Sequence, residues 1–192
     1  MKKQTFLLPL LILSLIFTGC SDDDDHDDHS HPVNEEEVIT TIEVTLSDGT
    51  NSYVLIWEDL DGDGPDLPII TGATIPSNSY DAEIQLYNKT LDPTDDEYVV
   101  TTEILEEDVD HQFFFNASNG LNVFDFVYAD ADVDGNPIGQ QFIIEDVSGS
   151  GGDLNIVLLH EPNKNADGVS DGDITNAGGD TDIDITFPII VQ

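Results

Sequence analysis

The chemistry available to this 192-residue chain lies in oxygen and imidazole donors, which fall into three groups. The densest is Asp22–His31, where His26, His29 and His31 stand among six aspartates that include Asp25, Asp27 and Asp28. Neutral imidazole ligates Zn, Cu, Ni and Fe, and carboxylates complete the shell. So acidic a stretch has too little apolar surface to order itself, and its histidines can converge on one ion without backbone strain. The expectation is a collector of divalent transition metal, zinc foremost; the plainer alternative is an acidic export or spacer segment with incidental histidines.

The second group is a pair of loops, Asp59-Leu60-Asp61-Gly62-Asp63-Gly64 and Asp130-Ala131-Asp132-Val133-Asp134-Gly135-Asn136. Alternating carboxylates with glycine let the backbone curl until several oxygens face one hard cation. The spacing opens an EF-hand loop, yet Ile70 and Gln141 occupy the twelfth positions, where a bidentate glutamate would close it. Structural calcium at Asp59, Asp61 and Asp63 and at Asp130, Asp132 and Asp134 is the expectation, with a plain polar turn as its alternative. In the third group Glu103, Glu107 and His111 recur at helical spacing, and His160-Glu161 ends a late apolar run before Asp167, Asp171 and Asp173. Glu107, His111, His160 and Glu161 are therefore candidates for a metal site within the folded part; simple surface exposure is the alternative.

Catalysis finds no support. The chain has no Gly-x-Ser-x-Gly, phosphate loop, Cys–His pair or His-Glu-x-x-His. Acids are so abundant that any two could be named a general acid–base pair. The expectation is a binding protein, not an enzyme.

Charge narrows the partners. The four basic residues are all lysines (Lys2, Lys3, Lys89 and Lys164) against 41 acids, with no arginine. Phosphates cannot be neutralised by such a surface, which excludes nucleic acid. Met1-Lys2-Lys3 followed by the apolar run Phe6–Phe17 reads as a secretory signal, too short for a mature membrane helix. Thr18-Gly19 before Cys20, the single cysteine, marks residues 1–19 as a lipoprotein signal and Cys20 as the acylated residue. Loss of the first 19 of 192 residues leaves 173, and two lysines against 41 acids give a formal −39. Acyl chains would hold the protein to the membrane, since anionic headgroups repel it.

Residues 20–37 then read as an acidic, histidine-bearing disordered tether, and 38–192 as one folded domain. Period-two alternation and short apolar runs predict strands at Val38–Leu46, Ser52–Trp57, Ser79–Tyr87, His111–Asn116, Asn122–Tyr128, Gln140–Val147, Asp153–His160 and Asp182–Val191. Gly49, Gly120, Gly135 and Gly149–Gly152 mark turns between them. About eight strands so spaced imply an all-β, immunoglobulin-like antiparallel β-sandwich. One insert departs from this pattern. Asp92-Pro93 with Asp95 and Asp96 resembles a helix start, and Tyr98, Thr102, Leu105 and Val109 recur with helical period. A single helix is expected there, although Val99–Thr102 is β-branched.

Cys20 followed by Ser21-Asp22-Asp23-Asp24-Asp25 resembles the surface-export signal of lipoproteins in the Bacteroidota. Asn34–Thr41, Trp57–Gly64, His111–Phe114, Asp130–Gly139, His160–Lys164 and Gly168–Ile185 are similar to segments of a family of small outer-membrane lipoproteins of those bacteria. That family carries the label of a type 1 periplasmic binding fold, which needs a longer α/β chain with repeated strand–helix units; the residues here point to a sandwich. The resemblance implies an outer-membrane, outward-facing location and work beside a TonB-dependent receptor in metal uptake. The competing class is a calcium-stabilised structural or adhesive module that binds a protein or a glycan.

Overall fold

Strict alternation in the longest strands decides which side of each faces inward. The computed structural model describes residues 37–62 and 64–192, which belong to one compact unit, Glu36–Gln192. Twelve strands and one α-helix run in the order β1 (Thr41–Ser47), β2 (Ser52–Glu58), β3 (Ile69–Thr71), β4 (Ala73–Ile75), β5 (Tyr80–Tyr87), α1 (Val100–Glu106), β6 (His111–Ser118), β7 (Leu121–Asn122), β8 (Asp125–Tyr128), β9 (Gln141–Glu145), β10 (Ser148–Gly149), β11 (Gly152–His160) and β12 (Asp180–Val191). One sheet has the order β3-β2-β1-β5-β9-β8, the other β4-β12-β11-β6, and β7 with β10 makes a small ribbon. Pairing is antiparallel except between β4 and β12.

The expected all-β, immunoglobulin-like sandwich with one inserted helix is present. β3, β4, β7 and β10 have only two or three residues each and had no alternation to announce them. Between the sheets, Ile42, Val44 and Leu46 of β1 and Ile84 and Leu86 of β5 meet Ile156 and Leu158 of β11 and Ile185, Phe187 and Ile189 of β12. Phe113 of β6 and Phe142 of β9 fill the remaining width. With only one cysteine in the chain, no internal disulfide can assist, so apolar burial carries the fold. The outer face of β6 and β11 has its own smaller cluster: Phe114, Val157 and Leu159 lie beneath Val169 and Ala177 of the segment between β11 and β12.

The helix differs from its expected form. Asp92 accepts a hydrogen bond from the Thr94 amide and opens a turn, and Asp95 caps a 3-10 turn at Asp96–Tyr98. Val99, with φ −100° and ψ 86°, interrupts before α1 begins. The buried face of α1 is Val100, Thr101 and Ile104, whereas Thr102, Leu105 and Val109 are exposed. The β-branched residues are accommodated because this helix of about two turns is a clasp on β5. Thr101 Oγ1 accepts from the Leu86 amide at 2.6 Å. Among the described residues no helix is long and apolar enough to cross a membrane.

Phe113 is fully buried at the centre of the sandwich. Phe113→Ala should lower the unfolding free energy by about 3–5 kcal/mol, read as a reduced urea midpoint with an unchanged slope.

Candidate metal centre

The strand register brings two histidines face to face. His111 opens β6 and His160 closes β11, and antiparallel pairing sets them directly opposite each other. They extend the core-facing row of Phe113 and Leu158, at the open end of the sandwich. Their rings stack with centroids 4.7 Å apart and planes inclined by 16°. Cross-strand neighbours on one face are the natural meeting points of side chains in a sheet.

Two carboxylates join them. Opposite Leu158 and Leu159 the register of β12 slips by one residue, so that Leu158 faces Ile183 while Leu159 faces Thr181. Asp182 is the extra residue of this bulge, a device that re-aims a side chain that plain alternation would turn outward. Glu37, four residues before β1, supplies the other carboxylate, and its side chain is only 1 % exposed. One donor atom from each of Glu37, His111, His160 and Asp182 lies within 4.8 Å of all the others. His111 Nε2 is 3.1 Å from Glu37 Oε1 and 3.9 Å from Asp182 Oδ2. It makes no aligned hydrogen bond with either, and Glu37 Oε2 is buried without a hydrogen-bond partner.

The histidine is oriented from behind. His111 Nδ1 lies 3.1 Å from the Glu107 carbonyl. A carbonyl only accepts, so Nδ1 carries the proton and Nε2 of the neutral ring presents its lone pair to the cluster. Metal-ligating histidines are fixed this way by an outer partner. The turn from α1 into β6 makes this contact possible: the Glu107 amide donates to Glu103, and the Asp110 amide to Glu107. On the neighbouring strand, the Glu161 amide donates to the Asp110 carbonyl at 2.6 Å. Gly179, at φ +76°, packs so closely that a Cβ there would lie 2.3 Å from the His160 carbonyl.

Without a metal the cluster behaves as an ion pair. Burial opposes charge on His111, but the Glu37 carboxylate, the Glu107 carbonyl and Asp182 more than offset it and hold the imidazolium above its ordinary 6.5. Burial likewise opposes charge on Glu37, and His111 overcomes it, leaving that carboxyl below its ordinary 4.5. Glu103 is pushed upward by burial and by the charges of Glu37 and Glu107. The neighbourhood is thus negative and selects for a cation.

Four donors of this kind suit zinc. Zn–N and Zn–O bonds of about 2.0–2.2 Å put tetrahedral donors roughly 3.3–3.6 Å apart, so the widest separation here closes by about 1.5 Å or less on binding. Two carboxylates and two neutral imidazoles exactly balance a dication in charge. Imidazole ligation disfavours calcium and magnesium, which take oxygen donors.

The sequence candidates are distributed unevenly around this centre. His111 and His160 are brought together; Glu107 contributes its carbonyl rather than its carboxylate, and Glu161 is exposed with its amide engaged. Glu37, counted with the tether on composition, and Asp182 are the residues sequence reasoning missed. Cys20, Asp25, His26, Asp27, Asp28, His29, His31 and Asp63 lie outside the described residues.

In the 130–136 loop the carboxylates are taken by protein donors. Asp130 accepts from the Gly139 and Gln141 amides. Asp132 Oδ1 accepts from the Asp134 and Asn136 amides, and its Oδ2 from Lys164 Nζ at 2.9 Å. Burial raises the Asp132 carboxyl, yet Lys164 and these amides outweigh it and hold it below its ordinary value. An ammonium thus stands where calcium was expected, and Asp134 is exposed. In the other loop Asp61 Oδ2 accepts from the Asp66 amide, while Asp59 Oδ1 is buried without a hydrogen-bond partner.

The metal-free pair sets a pH window. His111, with its raised folded value, stabilises fully below 6.5 and loses that contribution as pH rises through the higher value. Glu37, with its lowered value, stabilises above 4.5 and loses it as pH falls through the lower value. In chelator-treated protein the stability gap between wild type and His111→Gln should therefore be widest from pH 4.5 to 6.5, shrinking on both sides in urea melts.

Comparison of the chain with protein-family models, with curated proteins and with solved structures returns no match in any of the three.

Proposed function

We propose that this protein binds a divalent transition metal, zinc foremost, at Glu37, His111, His160 and Asp182, as a lipid-anchored accessory to metal uptake at the outer membrane. The observation that carries the reading is the convergence of two carboxylates and two imidazoles, with one donor atom of each within 4.8 Å of all the others. Lys89 Nζ is spent on Glu43 at 3.2 Å and Glu58 at 3.5 Å, and Lys164 on Asp132. A buried carboxylate without positive charge nearby is strongly disfavoured. His111 and His160 stand beside these two carboxylates, and a dication would balance both charges with the imidazoles as further ligands.

Location, anchoring at Cys20, the receptor partnership and the zinc-collecting role of His26, His29 and His31 follow from sequence and resemblance, and they fit a protein that gathers metal outside the cell. The two segments then divide the labour. The histidines and aspartates of residues 22–31 would serve capture, and the four donors of the domain would serve retention. Calcium in the 59–66 loop is the second reading, favoured by the buried, unbonded Asp59 Oδ1.

Calorimetric titration of zinc into chelator-stripped protein should show a tight site that survives deletion of residues 21–31. Losing a ligand costs at least the roughly 10–100-fold that loss of an outer-shell partner costs, so His160→Ala should weaken that site by about tenfold or more. A domain that ignores zinc, or a His160→Ala protein with undiminished affinity, defeats the proposal; elemental analysis of the same protein reads calcium in parallel.

A further inference from the structure

The four donors of the metal centre are not held alike, and the difference assigns them different work. His111 and His160 are register partners on β6 and β11, and Asp182 sits at the bulge of β12 between Thr181 and Ile183, which pair with β11. Glu37 belongs to no strand. It precedes Thr40, which is clamped from several directions: its amide donates to the Tyr87 carbonyl at 2.9 Å, its hydroxyl accepts from the Lys89 amide at 2.8 Å, and its carbonyl accepts from the Asp59 amide at 2.8 Å. On the other side of that clamp, among the described residues, no backbone hydrogen bond ties Glu37, Val38 or Ile39 to a neighbouring strand. Ile39 packs on the core, Val38 is 60 % exposed, and the Glu37 side chain is buried.

We infer that residues 37–39 form a latch on the metal centre: Glu37 is the exchange ligand, closing over an ion seated on three strand-held donors and swinging away about Thr40 to let it go. This deepens the reading of the site as a metal centre and rests on it. Three donors set by a β-sheet cannot separate without breaking the ladder, so the coordination sphere opens most cheaply at the ligand whose segment lacks ladder bonds. A site opened that way releases its ion and suits a cargo metal; four strand-borne ligands would make a permanent structural ion. Glu37 Oε2, buried with no hydrogen-bond partner, is the second oxygen available to the ion as the latch closes.

Two measurements on the full-length chain test this. Hydrogen exchange at the Val38 and Ile39 amides should slow by at least tenfold on adding one equivalent of Zn²⁺, whereas β6 and β11 amides change little. Zinc release to excess chelator, followed by stopped flow, should be at least tenfold faster in Glu37→Gln than in wild type. If zinc binds but exchange at 38–39 is unmoved and Glu37→Gln releases zinc at the wild-type rate, the latch is overturned while the metal centre stands. If no zinc binds at all, the metal centre itself falls and takes the latch with it. The exchange measurement uses the wild-type chain alone, so it decides the matter even where the variant does not fold.

Discussion

Every carboxylate withdrawn from water in this protein must be answered by a positive charge or by N–H donors, and the chain carries almost no positive charge to spend. Asp132 shows one solution: two backbone amides and the Lys164 ammonium surround it, and the pair stitches the 130–136 loop to the segment between β11 and β12. Lys89 serves the outer face of the large sheet through Glu43 and Glu58. With both lysines engaged, Glu37 and Asp182 have His111 and His160 as their nearby counterparts among basic side chains. The same scarcity that keeps the surface strongly anionic leaves the end of the sandwich open to an added cation.

The fold was legible where alternation was long. β1, β5 and β12 each present inward rows such as Ile42, Val44 and Leu46, and burial between two sheets leaves few other arrangements for them. The short strands carry no such pattern, because two or three residues cannot display a period. The helix was legible as an insertion and misread in phase. Asp92 and Asp95 both look like caps, but each engages a local turn, and burial of Val100, Thr101 and Ile104 was set by contact with β5 rather than by an apolar stripe.

The candidate metal centre was half legible for a related reason. His111 and His160 are rare residues at element ends, which makes them conspicuous in sequence. Glu37 is hidden in a run of three glutamates, and nothing local distinguishes the one that turns inward. Asp182 was masked by its own context: in Asp180–Ile185 the isoleucines claim the inner face, which puts the aspartates outside. Only the bulge opposite Leu158 and Leu159 reverses that assignment, and a bulge is a property of two strands that neither announces alone. The calcium-type loop at 130–136 also has a partner that its own residues do not announce. Its spacing suits a cation, but the side chain of Lys164, 32 positions away, fills that place.

The slipped register in β12 also bears on how such a centre is acquired. Below Ile183 the strand is an ordinary inward–outward ribbon, and Phe187, Ile189 and Val191 are indifferent to what happens above them. One additional amino acid near the top of that ribbon is enough to rotate a carboxylate from the outer surface to the inner face of the sandwich. A single-codon insertion or deletion could therefore carry a carboxylate into or out of the cluster in one step while the hydrophobic packing beneath stays intact.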